Sequence, residues 1–216
     1  MILAVLSSGG KDSIYSIYTA ESMGWEVKYI VSVYPKTKES YMFHFPLIEL
    51  AQKQAESMHK KFIKVETNAV KEEEMLDLKK VLEKLDIDGV ISGAVASEYQ
   101  KQRIDFMCEE LGIKSFAPLW HKNPLSLLKE QAETMEIIIS GVAAGGLDES
   151  WLGKKIDEKT IEELIELEKK YGIQTGGEGG EFETLVVNSP LFEKPLQLPE
   201  FKKQWDGTSG YLELKQ

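Results

Sequence analysis

The chain holds one cysteine, Cys108, in 216 residues. A single thiol excludes an internal disulfide and a cysteine-only metal cluster, and a reducing, cytoplasmic setting is the expectation. Histidine is scarce too, and His59 and His121 show no metal-ligand spacing with Cys108. No apolar run approaches the roughly 20 residues that span a bilayer, so no membrane partner is expected. The N-terminus lacks a basic segment followed by an apolar stretch and a cleavage site, and no signal peptide is read there. Basic charge is short as well: 26 Lys and Arg stand against 36 Asp and Glu, a net charge of -10. Such an acidic chain binds nucleic-acid phosphates poorly, and no nucleic-acid partner is expected.

What is present alternates. Met1 to Leu6 reads as a buried strand, and a Gly-Gly turn leads into a helix over Ser13 to Met23. Val27 to Tyr34 reads as a second strand. A helix opened by Pro46 follows, with Leu47, Leu50, Ala51, Ala55 and Met58 on one face. Strands at Phe62 to Val65, Gly89 to Ser92 and Ile113 to Phe116 are separated by helices over Val70 to Leu85 and Glu98 to Leu111. Parallel strands need crossover connections, so this alternation predicts an α/β fold: a doubly wound parallel sheet of about five strands. The pattern changes after Trp120. A helix from Asn123-Pro124, a strand over Met135 to Ala143, a charged helix over Asp157 to Tyr171 and a strand near Leu185 to Val187 follow. A hairpin around Asp206-Gly207 closes the series. The expected division is an α/β domain over 1–122 and a smaller C-terminal α+β domain over 123–216.

The first loop, "LSSGGKDS", joins the first strand to the first helix. Unpaired amides at a helix N-terminus attract anions, glycines let the chain approach phosphate, and Lys11 adds a full positive charge. Ser7, Ser8 and Ser13 add hydroxyl donors. The Walker pattern needs glycine where this chain has Val5 and Ser or Thr where it has Asp12, so that reading fails. The spaced glycines of a dinucleotide fingerprint are missing too. The bland alternative is a tight turn with Asp12 or Ser13 capping the helix.

Two further segments stand out. In "SGAVASEYQKQRIDFMCEELGIKSFAPLW", Ser97 and Gln100 form a capping box, whereas Gly93 and Arg103 lie on the ligand edge of a doubly wound sheet. Arg103 reads equally as a surface charge or as an anion clamp. Cys108 falls on the inward face of that helix and reads as packing. In "GGEGGEFETLV", four glycines surround Glu178, Glu181 and Glu183. Extended chain would put Glu181 and Glu183 on one face. A flexible acidic surface loop is the alternative.

Ser-Gly-Gly-Lys-Asp-Ser resembles the pyrophosphate loop of the N-type ATP pyrophosphatases, the PP-loop superfamily, which split ATP into AMP and pyrophosphate. The resemblance implies an adenine nucleotide alpha hydrolase-like sheet and ATP bound by Ser7, Ser8, Gly9, Gly10, Lys11, Asp12, Ser13 and Gly93, with Asp12 as the Mg²⁺ ligand. Together with "SEYQKQR", "GEGGEFETLV" and "SYMFH", it is similar to the diphthine–ammonia ligase family, in an archaeal short form. That family implies amidation of the diphthine carboxylate on elongation factor 2 by ammonium, through an acyl-adenylate. On this reading Lys11, Glu178 and Glu181 are catalytic, Glu178 or Glu181 accepting the ammonium proton. Tyr41, His44, Ser97, Gln100, Arg103 and Glu183 are the substrate-binding candidates. Tyr41, Phe43, Trp120 and Phe182 are candidates to face diphthine's trimethylammonium, since aromatic faces hold permanent cations. The alternatives are an RNA-modifying PP-loop enzyme, which usually wants more than one cysteine, and a non-catalytic ATP-binding regulator. The sequence leaves open whether the chain forms a homo-oligomer.

Overall fold

The computed structural model describes residues 1–35, 47–67 and 71–215. Five strands, β1 (Ile2–Leu6), β2 (Glu26–Pro35), β3 (Lys61–Thr67), β4 (Gly89–Ile91) and β5 (Lys114–Phe116), form a parallel sheet in the order β3-β2-β1-β4-β5. Alternate residues of a strand point to opposite faces. Leu3 and Val5 of β1 accordingly join one apolar cluster, whereas Ala4 joins the other. Helices α1 (Lys11–Ser22) and α2 (Leu50–Ser57) cover the first face. Helices α3 (Lys71–Leu82) and α4 (Glu98–Leu111) cover the second, through Leu78, Leu82, Met107 and Cys108.

The remainder comprises α5 (Pro124–Thr134), β6 (Glu136–Val142), a single 3-10 turn at Glu149–Trp151, α6 (Glu158–Tyr171), β7 (Phe182–Asn188), β8 (Phe201–Trp205) and β9 (Gly210–Leu214). Its four strands make an antiparallel sheet in the order β7-β6-β9-β8. The β8–β9 turn is held by Asp206, whose Oδ1 accepts from the amides of Thr208 and Ser209 at 2.8 and 2.7 Å. The second sheet does not keep a separate core. Ile14 and Ile17 of α1 and Leu50 of α2 share one cluster with Ile137, Ile139, Leu185 and Val186. The α1–α2 layer is therefore sandwiched between two sheets, and β7 runs beside the loop that follows β1.

Some boundaries move, each for a local reason. Helix α1 starts at Lys11, ahead of the expected Ser13, because Gly10 in extended conformation is its N-cap. Neither Asp12 nor Ser13 caps it. Leu47 has a φ of 67° and its carbonyl accepts from Leu50 N, so a turn precedes α2 and the helix begins at Leu50. Pro46 lies outside the described residues. Strand β7 reaches back to Phe182 because Phe182 and Glu183 pair with Val142 and Gly141 of β6. Among the described residues no helix is long and apolar enough to cross a membrane.

Strand order reverses between β1 and β4, and ligands of open α/β sheets bind at that switch, outside the carboxyl ends of the strands. The loops after β1 and after β4 are the ones holding Ser7–Lys11 and Gly93.

Candidate active site

The β1–α1 loop is shaped from several sides. Gly9 has a φ of 85°, in the left-handed region that favours glycine, and a Cβ there would lie 2.6 Å from Gln54 Oε1. Gln54, fully buried on α2, donates from Nε2 to the carbonyls of Gly9 (2.9 Å) and Val186 (2.8 Å). Val186 N also donates to Gly9 O at 3.1 Å, so the loop is stitched to β7. Gly93, after β4, lets that strand end approach α1: a Cβ there would sit 2.9 Å from Ser13 N and 3.0 Å from Asp12 C.

Two of the expected phosphate donors serve the loop itself. The Ser7 and Ser13 hydroxyls share a hydrogen bond of 2.8 Å, Gly9 N donates to Ser7 Oγ, and Ser13 Oγ donates to Gly10 O. The opening amides of α1 are better placed. The cap residue Gly10 has no side chain to satisfy them, and among the described residues only Lys11 N finds a side-chain acceptor, Thr184 Oγ1 at 3.1 Å. A helix start left in this state is an anion site.

Lys11 itself is buried, its side chain only 6% exposed. Its Nζ donates to Asp12 Oδ2 at 2.7 Å and lies 3.6 Å from Glu178 Oε1. Burial alone pulls an ammonium pKa down. Here the carboxylates of Asp12, Glu178 and Glu183 outweigh burial and hold Lys11 above its ordinary range. For the carboxylates burial is the larger effect and wins. Burial pushes the Glu178 carboxyl up, Lys11 opposes, and Asp12 adds to the rise. Burial likewise raises Glu183 to about 7, with Lys11 opposing and Asp12 and Glu178 adding. One ammonium therefore faces three acidic side chains, a cluster whose ionised charge is negative and which favours a bound cation.

The glycine-rich segment divides its carboxylates between two tasks. Glu178 faces Lys11, whereas Glu181 turns back on its own loop. The Glu181 carboxylate accepts from Gln174 N at 3.0 Å and from Gly179 N at 2.8 Å. Glu181 lies in the bend before β7 and is engaged within its own loop, whereas Glu183, on β7, lies near Lys11. The tight passage of Gly177 under the Phe182 ring, 2.9 Å from where a Cβ would stand, fixes the loop against the strand.

The outer candidates are dispersed. Ser97 is the N-cap of α4, its Oγ accepting from Gln100 N at 3.3 Å. Gln100 is exposed beside it. Arg103 Nη1 donates to Tyr99 Oη at 2.7 Å, and its guanidinium stands over that ring. Phe182 is only 4% exposed and packed in the core, so its ring has no face for a ligand. Trp120 is partly buried, with Lys101 Nζ 5.6 Å from its ring centre. Tyr41, Phe43 and His44 lie outside the described residues. Cys108 is buried and its thiol is pushed up to about 11 by burial, as packing requires.

The diphthamide synthase N-terminal domain matches residues 1–115, and the diphthamide synthase C-terminal domain matches residues 123–216. The chain belongs to the diphthamide synthase family. A rat relative (Rattus norvegicus) named diphthine–ammonia ligase is 36% identical over 91% of this chain and 82% of its own length. The human one, of the same name, is 34% identical with the same coverage. A Schizosaccharomyces pombe relative of that name is 30% identical over 97% of this chain, which spans 38% of it. A solved structure described as a predicted subunit of tRNA methyltransferase, from Methanocaldococcus jannaschii, is 19% identical and covers 91% of this chain and all of its own. Its TM-score of 0.49 is too low to bear on fold or function.

Among the described residues no group of three or more His, Cys, Asp and Glu is arranged to hold an ion. Mg²⁺ in nucleotide sites takes one or two carboxylates and completes its shell with phosphate and water. Asp12 fits that pattern. Its Oδ2 accepts from Lys11 and its Oδ1 from Gln131 Nε2 at 2.9 Å, and a carboxylate has about four acceptor positions, so each oxygen keeps one. Gln54, Gln131 and Thr184 are site-shaping residues that the motifs did not single out.

Proposed function

We propose that this protein, an ATP-dependent amide ligase, converts the diphthine carboxylate of elongation factor 2 to its amide with ammonium, through an acyl-adenylate, releasing AMP and pyrophosphate. The observation that carries the proposal is the buried contact between Lys11 of the phosphate loop and Glu178 of the glycine-rich loop, 3.6 Å apart. That contact joins an anion-binding group to a candidate proton acceptor from the other end of the chain.

A carboxylate oxygen leaves poorly, and attaching AMP to it creates a leaving group that ammonia can displace. The α1 amides and Lys11 offset the charge that develops on departing pyrophosphate. Asp12 would hold Mg²⁺, which adds positive charge on the phosphates when bound. Ammonium has no lone pair until it gives up a proton. Glu178, whose carboxyl is raised by burial, stands beside the cation site and accepts that proton. Glu181, engaged by two backbone amides, supports the loop instead. Glu183 completes the acidic wall that favours a cation.

The test supplies ATP, Mg²⁺, ammonium and diphthine-bearing elongation factor 2, and measures AMP together with the mass of the modified histidine. Amide and AMP in equal amounts are expected. AMP formed with RNA in place of the factor, or neither product, overturns the proposal. At limiting ammonium, normal amidation by Glu178→Gln would remove Glu178 from the mechanism.

A further inference from the structure

We infer that Gln131 is a positioning residue for the phosphate loop, holding Asp12 in the orientation that receives a divalent cation. The inference rests on the reading of Asp12 as the Mg²⁺ carboxylate. Gln131 lies on α5 and is fully buried. Its Nε2 donates to Asp12 Oδ1 at 2.9 Å, while Oδ2 is taken by Lys11 at 2.7 Å. These two donors fix the carboxylate plane from opposite sides, one from its neighbour in sequence and one from 119 residues away.

Burying this amide has a cost. Among the described residues Gln131 Oε1 has no hydrogen-bond partner, and it has no access to solvent, an arrangement that burial penalises. A leucine or methionine would fill the position more favourably if packing were its only task. The helix is well placed for a mechanical role. Glu130 Oε2 accepts from Tyr15 Oη at 3.2 Å, tying α5 to α1 one turn beyond Asp12. At the other end of α5, Pro124 is pressed against Gly176, whose Cβ would fall 2.9 Å from Pro124 Cβ. One helix thus carries both the donor that sets Asp12 and the seat of the Glu178 loop.

Residues one step behind a metal ligand orient it, and their loss weakens metal binding by about 10- to 100-fold. The test compares wild type, Gln131→Met, Gln131→Asn and Glu130→Gln. Mn²⁺ binding in the presence of ATP is read by electron paramagnetic resonance, beside the Mg²⁺ dependence of AMP formation. Methionine nearly preserves volume and removes both the donor and the orphaned acceptor. Asparagine keeps the amide but falls a methylene short of Asp12. Both are expected to weaken Mn²⁺ binding at least about tenfold and to raise the Mg²⁺ needed for half-maximal rate, with little loss of the saturated rate. Glu130→Gln, on the same helix but off Asp12, is expected to bind Mn²⁺ as wild type does. Adding Gln131→Met to Asp12→Asn should weaken Mn²⁺ binding no further, because Gln131 acts through that carboxylate.

Wild-type Mn²⁺ affinity in folded Gln131→Met or Gln131→Asn overturns the inference and leaves the proposed function standing. Equal weakening by Glu130→Gln overturns it too, since the effect would then belong to the helix contact. Wild-type protein that binds no Mn²⁺ with ATP overturns both readings.

Discussion

Glu183→Gln should stabilise the ligand-free protein at alkaline pH and do little in acid. The Glu183 carboxyl, held up to about 7 against an ordinary 4.5, stays protonated in the folded protein where the unfolded chain has already ionised. Below 4.5 both states are neutral and the group costs nothing. Between 4.5 and 7 stability falls as pH rises, because only the unfolded state releases the proton. Above 7 the penalty is complete. At 1.36 kcal/mol per pKa unit it reaches at most about 3 kcal/mol. The glutamine has no charge to desolvate, so it recovers this energy at pH 8. For a chain of this size about 3 kcal/mol corresponds to a rise in Tm of about 6–12 °C. Thermal melts at pH 5 and pH 8, without nucleotide, read the effect. A rise confined to pH 8 is expected. An equal shift at both values would show that packing and not charge sets the cost, and no shift at pH 8 would show that Glu183 ionises freely beside Lys11.

Three other perturbations separate scaffold from chemistry. Glu181→Ala removes the acceptor for the Gln174 and Gly179 amides, so proteolysis within residues 176–180 should accelerate and the amidation rate should fall at all ammonium concentrations. A selective rise in the ammonium KM would instead return Glu181 to the chemistry. Gly93→Ala drives a methyl against the Ser13 and Asp12 backbone and should cost about 1–3 kcal/mol in denaturant melts, with weakened ATP binding; wild-type ATP affinity would show that the two loops can part without harm. Cys108, buried and with a thiol raised to about 11, should resist alkylation at pH 8 until the protein unfolds, and Cys108→Ala should keep full amidation. Rapid labelling of native protein would contradict its placement on the buried face of α4.

The sheet was legible because its signals are local. Apolar runs such as Leu3 to Leu6 and Val27 to Tyr34, each followed by an amphipathic helix, predict parallel strands before any contact is known. The candidate anion site is local in the same way, since Gly9, Gly10, Lys11 and the opening amides of α1 all lie within Ser7 to Ser13. The pairing of Lys11 with Glu178 was not, because spacing along the chain says nothing about a contact 167 residues long. Nor could the glycine-rich segment reveal that Glu181 faces inward to its own loop while Glu178 faces out to Lys11. That choice depends on which backbone amides the turn leaves open.

The buried glutamines mark the limit most sharply, although the sequence did contain a sign of them. Gln54 stands on the inward stripe of α2 with Leu50, Ala51 and Ala55, and Gln131 on that of α5 with Leu127 and Leu128. A polar residue on an apolar stripe must find a partner or carry the cost of burial. The periodicity alone therefore announces an amide with something to hold. It cannot say what. For Gln54 the partners are two carbonyls, one in the loop after β1 and one on β7, and for Gln131 an acidic side chain in the first turn of α1. In both cases Nε2 is satisfied and Oε1 is not. The donor is the half of the amide that the fold uses, ending on Gly9 of the loop for Gln54 and on Asp12 of the helix turn that follows for Gln131. Selection for a stable core would replace both residues with leucine or methionine. Their presence is best explained by what the loop must hold still.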